Sequence, residues 1–321
     1  MEAVYRILRI VPLLCGAVQI ELCYRALRYI YPKREDLQTL GIVVGSLLPM
    51  NIYISQVVGN EPMAGVLTGV VIVLAFRLFC SSSIGTTRDF ILIGFFLGLG
   101  FLTKITVFLL VPPLLFFISY TTFINSHPTV KPIILIVQRV TIVLCVSLVI
   151  SSWYYVRNWV ELGHFLIGGW DSFRGFIWWQ DPGYRTLQQF FTFGESLLYP
   201  IYSSVVGVWD SLYSTMWIDA SLSGVANYDS RPPWNYPFLL SGAYLSLLPS
   251  AAIFLGAIVS LRKPTWANQQ SLLFSVSCII TYIFAILYMF LTLPVIVPQK
   301  RHTCWALLPV LLYYVLEGLT Y

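Results

Sequence analysis

Four small groups of polar residues interrupt long apolar stretches of this sequence. They are Asn60 with Glu61, Lys104, Arg157 with Asn158, and the cluster Lys300, Arg301 and His302. A carboxylate can accept a proton or bind a metal ion, and lysine and arginine bind phosphate through charge-assisted hydrogen bonds. The four groups are therefore the candidate site residues, provided that the fold brings them together.

Two interpretations of Glu61 remain open at the sequence level. Asn60 is a good helix cap, Pro62 suits a first turn, and a carboxylate there complements the helix dipole. On that interpretation Asn60-Glu61-Pro62 is a helix start and nothing more. On the other, Glu61 is an acid that faces a cavity at the membrane surface, where it orients an acceptor or serves as a metal ligand.

The basic residues also have two interpretations each. Lys104 separates two apolar runs, where it either snorkels to the interface or offers its charge to a phosphate. Arg157 and Asn158 follow the aromatic stretch WYY, where an arginine either anchors the interface or grips a lipid phosphate. Lys300 to His302 precede an apolar helix, whose N-terminus disfavours cations, so a bound phosphate would relieve them. His302 is also a candidate proton carrier.

Composition indicates the elements that must position these residues. The chain of 321 residues is 58% hydrophobic and 10% charged, with a mean hydropathy of +0.78. These values predict an all-α polytopic membrane protein, because a backbone in lipid satisfies its hydrogen bonds inside helices. We predict nine apolar segments: 3–31, 37–58, 61–80, 89–103, 105–124, 132–155, 237–261, 270–293 and 303–320. The fourth is short, so the fourth and fifth are expected to form a tilted or re-entrant pair joined at Lys104.

The positive charges predict the topology. The net charge of +5 is spread over short loops, which favours a topology signal over nucleic-acid binding. Alternating crossings then put Asn60-Glu61, Lys104 and the loop 157–236 on the exoplasmic side. We predict three parts: an N-terminal transmembrane bundle (1–156), an exoplasmic loop (157–236) with interfacial helices, and C-terminal transmembrane helices (237–321).

The predicted exoplasmic loop is rich in tryptophan and in isolated acids. It holds seven of the ten tryptophans, which are typical of a membrane interface. Its acids form no recognisable pair and are expected to be solvated: Glu161, Asp171, Asp181, Glu195, Asp210, Asp219 and Asp229. We expect this loop to cover the site.

Three stretches, in this order, resemble one family. They are SQVVGNEPMAGVLTGVVIVLAFRLF, GFFLGLGFLTKITVFLLVPPLL and WYYVRNWVELGHFLIG. Together they resemble the GT-C type membrane glycosyltransferases, in particular the protein mannosyltransferase-like and aminoarabinose-transferase-like branch. The resemblance covers residues 1 to 170 and, more loosely, 290 to 321.

The resemblance implies a fold, an activity and a set of roles. The fold would be a GT-C-like helix bundle, and the enzyme would move a sugar from a polyprenyl-phosphate carrier to a lipid, glycan or protein acceptor. Glu61 would match the family's second acid, with a divalent metal as a candidate cofactor. Lys104 and Arg157 would meet the carrier phosphate, with Asn60, Asn158, Lys300, Arg301 and His302 also binding substrate. The sugar transfer would take place on the exoplasmic face of the cell membrane.

One departure and two rival functions accompany this prediction. The family carries an essential acid in a first exoplasmic loop, and this sequence starts at what resembles the second helix. We therefore expect a shortened form of such an enzyme. The rivals are a transporter or flippase of a lipid-linked saccharide, and a non-catalytic membrane remnant of a transferase.

Overall fold

The structure, a computed structural model, describes seven ranges of the chain. These are 7–80, 85–126, 131–166, 187–200, 207–218, 236–262 and 266–292. Within them the regular elements are helices, numbered here in chain order. They are α1 (Ile10–Ile30), α2 (Glu35–Leu47), α3 (Pro49–Ile54), α4 (Glu61–Cys80), α5 (Thr87–Thr103), a 3-10 helix (Ile105–Leu110), α6 (Val111–Asn125), α7 (Pro132–Leu162), α8 (Gln188–Phe191), α9 (Glu195–Leu198), α10 (Val208–Trp217), α11 (Tyr236–Leu245), α12 (Leu247–Arg262) and α13 (Trp266–Thr292).

Helix α4 lies at the centre of the apolar core. Its sequence is apolar on all sides, which is typical of a helix that is surrounded by others. Val71, Ile72 and Phe76 are completely buried, and Phe76 packs edge-to-face on Phe274 of α13 with ring centroids 5.7 Å apart. The central position of α4 matters for function because this helix begins at Glu61.

Helices α5 and α7 approach each other closely at two glycines. A Cβ atom on Gly94 would lie 2.7 Å from the carbonyl oxygen of Val143, and one on Gly98 would lie 2.7 Å from that of Ser147. Lipid is as apolar as a leucine side chain, so membrane helices associate through such close packing. The pair fixes α7 against the end of α5, where Lys104 follows.

The chain reverses direction at Lys104. Lys104 has extended backbone angles (φ −159°, ψ 134°) between α5 and the 3-10 helix. The rings of Phe101 and Phe108 then stack with centroids 3.9 Å apart. Seven residues of continuous helix would separate them by about 10 Å along the axis, so the two segments run back past each other. This is the joint that the sequence predicted at Lys104.

Several helix boundaries differ from the prediction, and two of these differences have a clear local cause. The segment predicted as 37–58 is divided into α2 and α3, because Pro49 has no N–H and holds Leu48 extended (φ −59°, ψ 119°). Helix α7 continues to Leu162, seven residues beyond the predicted end, and stops at Gly163 in the left-handed conformation (φ 75°). Arg157 and Asn158 therefore lie within a helix.

The predicted fold class is confirmed for the part of the chain that the structure describes. Five helical stretches there are long and apolar enough to cross a membrane: Ile10–Ile30, Glu61–Cys80, Ile105–Asn125, Pro132–Leu162 and Leu239–Gly256. Large apolar side chains such as Val149 and Val160 of α7 point away from the bundle. A surface of this kind is stable against lipid. The protein is a multi-pass integral membrane protein.

Candidate functional site

Glu61 and Lys104 form a buried ion pair. The Lys104 ammonium Nζ lies 3.3 Å from the Glu61 carboxylate Oε1, and each side chain is 10% exposed. Glu61 is the first residue of α4, and Lys104 occupies the reversal after α5. The positive end of the α4 dipole also favours the carboxylate. The pair thus brings together two of the four groups that the sequence singled out, 43 residues apart.

Asn60 links the same two helix ends. Its side-chain Nδ2 donates a hydrogen bond to the carbonyl oxygen of Thr103, at 2.8 Å. The sequence predicted Asn60 as a cap of its own helix, but the structure shows its amide bonded across to the last turn of α5. Asn60 thus helps to hold Glu61 beside Lys104.

Replacing Asn60 by alanine is expected to lower the free energy of unfolding by about 1 kcal/mol, the net worth of one hydrogen bond. Thermal unfolding of the purified chain in detergent, followed by tryptophan fluorescence, measures this change. Ser46→Ala is a matched control, because Ser46 bonds the carbonyl oxygen of Val43 within its own helix. Equal stability of the two variants would contradict a linking role for Asn60.

Asn158 is buried and has an unsatisfied donor. It is 3% exposed, and its Nδ2 finds no hydrogen-bond partner among the residues described. It lies two helical turns after Ser151, on the α7 face that packs against α5. On the same side, the Tyr155 hydroxyl donates to the carbonyl oxygen of Phe101 at 2.7 Å. One more turn carries Asn158 to the level of the reversal at Lys104. A buried donor without a partner costs free energy that a ligand atom would recover.

Arg157 lies on another side of α7. Its Nε donates to Glu161 Oε2 at 3.0 Å, and the two side chains are 57% and 54% exposed. The structure therefore pairs Arg157 with an acid of its own helix and leaves it at the surface. Lys300, Arg301 and His302 lie outside the described residues.

A cavity of about 590 Å³ lies between α10, α12 and α13. Its walls are apolar and aromatic, and Trp209, Trp217, Phe254 and Tyr282 are among them. Both of these tryptophans belong to the stretch 157–236, which the sequence predicted as an exoplasmic loop. Burial raises the pKa of Tyr213, another wall residue, to about 12, so its phenol stays protonated and donates to the carbonyl oxygen of Ala243.

Residues 3–153 match the family model described as dolichyl-phosphate-mannose-protein mannosyltransferase. The match spans α1 to most of α7 and includes Asn60, Glu61 and Lys104. This stretch of the chain is similar to that mannosyltransferase family. The resemblance drawn from the sequence is thereby confirmed.

The solved structure of ArnT from Cupriavidus metallidurans in the apo state aligns with 97% of the chain at 14% identity, with a TM-score of 0.37. The chain spans 60% of the length of that protein. A search among curated proteins gave no match.

The burial of Asp210 corrects one prediction from the sequence. Asp210 was expected to be solvated, but it is completely buried. Its Oδ1 accepts hydrogen bonds from the backbone N–H groups of Gly194 and Ser196, at 3.1 and 2.7 Å, and from the Ser196 hydroxyl at 2.6 Å. Asp210 therefore ties the turn before α9 to α10. Sequence reasoning missed it because its partners lie 14 and 16 residues away.

A metal role for Glu61 has no support from its surroundings. Among the described residues, no three His, Cys, Asp or Glu side chains cluster in a way that could hold a metal ion. The neighbour of the Glu61 carboxylate is a lysine, which competes with a cation for the same oxygen.

Proposed function

We propose that this chain is a membrane glycosyltransferase that moves a sugar from a polyprenyl-phosphate carrier to a lipid, glycan or protein acceptor. The observation that carries the proposal is the buried Glu61–Lys104 pair at the meeting point of α4 and α5. A buried pair is costly to desolvate and gives little stability of its own. Its retention in an apolar bundle is consistent with a chemical role.

Lys104 would bind the carrier phosphate. An ammonium group has three N–H donors. Nζ can therefore form a hydrogen bond to a phosphate oxygen before it gives up its contact with the Glu61 carboxylate. The extended backbone at Lys104 sets the side chain at a helix reversal, where a headgroup enters from the side. The positive charge would stabilise the phosphate as the glycosidic bond breaks.

Glu61 would act on the acceptor. Once Lys104 turns to the phosphate, the carboxylate can accept the proton of a hydroxyl or amine. The bond from the sugar C1 to the phosphate oxygen breaks, and C1 bonds to the acceptor oxygen or nitrogen. The acceptor proton goes to Glu61, and the carrier phosphate leaves with the electron pair.

Two other features support this assignment of substrate. The unsatisfied Asn158 amide, at the level of Lys104 along α7, supplies a donor for a sugar hydroxyl or a phosphate oxygen. The apolar cavity between α10, α12 and α13 has the volume and lining that suit part of a prenyl chain. Arg157, together with Lys300, Arg301 and His302, is retained as a proposed contributor to phosphate binding. The exoplasmic face of the cell membrane is the proposed location.

Glu61→Gln is expected to lower sugar transfer by at least about a hundredfold, since general-base groups contribute roughly 10²–10⁴ in rate. The assay follows release of polyprenyl phosphate from polyprenyl-phosphate mannose, and then from other sugar forms, in membranes that contain the chain. Glu161→Gln is the matched control, because it removes an exposed carboxylate near the same end.

The same assay separates the rival functions. A transporter would move the labelled donor across vesicles without releasing polyprenyl phosphate, and a remnant would do neither. Transfer that is unchanged in Glu61→Gln would remove the proposed role of this carboxylate.

A further inference from the structure

The opposite end of the bundle contains an arginine that the proposed function does not use. Arg139 lies eight residues after Lys131, the N-cap residue of α7. It is therefore about 12 Å along the helix axis from that residue. Arginine within an apolar span is costly and usually has a partner or a functional reason. We call this end of the bundle, where α4 ends and α5 begins, the basic end.

Two contacts hold the Arg139 guanidinium in place. Its NH1 donates to the Thr122 hydroxyl at 2.7 Å, and its Cζ lies 5.0 Å from the centre of the Phe90 ring. Phe90 and Thr122 each lie three residues from a helix end, about 5 Å inside it. The guanidinium is therefore fixed between α5 and α6 at the depth where the spans meet the interface.

The charge of Arg139 is not balanced by a nearby acid in the described ranges. The carboxylate closest in sequence to Phe90 is Asp89, and it is fully engaged. Its Oδ1 accepts from Arg77 at 3.0 Å, and its Oδ2 accepts from the backbone N–H and the hydroxyl of Thr86. Arg139 forms no ion pair in the parts that the structure describes, although a guanidinium has five N–H donors.

Further cations lie at the same end of the bundle. Arg88, two residues before Phe90, is exposed, and so is Lys131 at the start of α7. This end of the bundle thus combines one anchored guanidinium, held over the Phe90 ring, with exposed cations elsewhere on its surface. Arginine in such a fixed position binds phosphate bidentately, whereas a snorkelling side chain would be free of side-chain anchors.

We propose that Arg139 binds a phosphate group at the basic end of the bundle. The chemistry suits the headgroup phosphate of an anionic phospholipid in the adjacent leaflet, and it also suits a soluble phosphate. This site is separate from Glu61 and Lys104, which lie at the other end of α4 and α5. The phosphate-binding proposal is therefore tested independently of the proposed transferase function.

The test is a binding titration of the purified full chain in detergent, followed by native mass spectrometry. The probes are phosphatidylglycerol, diacylglycerol with the same acyl chains, and inorganic phosphate. We expect phosphatidylglycerol to bind in preference to diacylglycerol, and Arg139→Gln to weaken that binding by at least about tenfold. Arg28→Gln is the matched control, because Arg28 also lies over an aromatic ring, that of Tyr24 at 5.7 Å, but makes no hydrogen bond to a second helix among the described contacts.

Each outcome decides the proposal. Loss of phosphatidylglycerol binding in Arg139→Gln but not in Arg28→Gln supports it, and displacement by millimolar inorganic phosphate identifies a soluble phosphate as the source. Equal binding in Arg139→Gln and the unaltered chain overturns it, as does an equal loss in both variants. Should Arg139→Gln fail to fold, Arg139→Lys, which keeps the charge but loses the two-pronged guanidinium, is measured instead, and unchanged phosphatidylglycerol binding would also overturn the proposal.

Discussion

Replacing Lys104 by alanine is expected to destabilise the protein by about 3–5 kcal/mol. The substitution leaves the Glu61 carboxylate 10% exposed and without the ammonium that now lies 3.3 Å away. Breaking one side of a buried ion pair costs more than the pair itself contributes, because the remaining charge stays desolvated. The measurement is the thermal or denaturant midpoint of the purified chain in detergent.

A double variant separates stability from chemistry. Glu61→Gln combined with Lys104→Met removes both charges and is expected to recover most of the lost stability, since a neutral pair avoids the desolvation cost. Sugar transfer should stay abolished, because neither the proposed phosphate ligand nor the proposed base is present.

An exposed pair supplies the control for this prediction. Arg157→Ala breaks the Arg157–Glu161 contact, whose side chains are more than half exposed, and should cost less than about 1 kcal/mol. If Lys104→Ala costs no more than Arg157→Ala, then the Glu61–Lys104 pair is not buried in the working protein. Full transfer activity in the double variant would remove the catalytic proposal.

The second large effect concerns the contact between α5 and α7. Valine at both Gly94 and Gly98 is expected to lower the free energy of unfolding by about 2–6 kcal/mol, at roughly 1–3 kcal/mol for each overpacked site. Each new Cβ would lie 2.7 Å from a backbone carbonyl oxygen of α7, and a backbone cannot move aside as a flexible side chain can. The helices must separate, so the Tyr155–Phe101 hydrogen bond near the site should weaken as well.

Gly242→Val is the matched control for the glycine pair. Gly242 is also helical, but a Cβ atom there meets nothing within 4 Å. Gly242→Val therefore changes helix propensity in the same way as each valine at Gly94 or Gly98, but its new side chain does not clash with another helix. A double glycine variant as stable as Gly242→Val would show that α5 and α7 do not pack this closely. Unfolding midpoints in the same detergent provide the comparison.

Composition and pattern were sufficient for the class of protein and for the family resemblance of its N-terminal half. A chain with 58% hydrophobic and 10% charged residues must bury its backbone polar groups in helices, and the predicted all-α membrane fold follows from that requirement. The three motifs gave the GT-C resemblance because they are local strings of residues. The joint at Lys104 was also predictable, because the fourth apolar segment is short for a membrane span and Lys104 separates it from the fifth.

The relations between distant residues were decided by the tertiary structure. Sequence left Glu61 as either a helix start or a site residue, and it is both the first residue of α4 and the partner of Lys104. Nothing local to Asp210 indicates burial, because its three hydrogen bonds come from a turn that precedes it by 14 to 16 residues. Arg157 and Asn158 are neighbours in sequence, yet the 100° between successive helical positions leaves one exposed and the other buried. Hydropathy and motifs report what each segment is made of, whereas packing determines which side chains from separate segments meet.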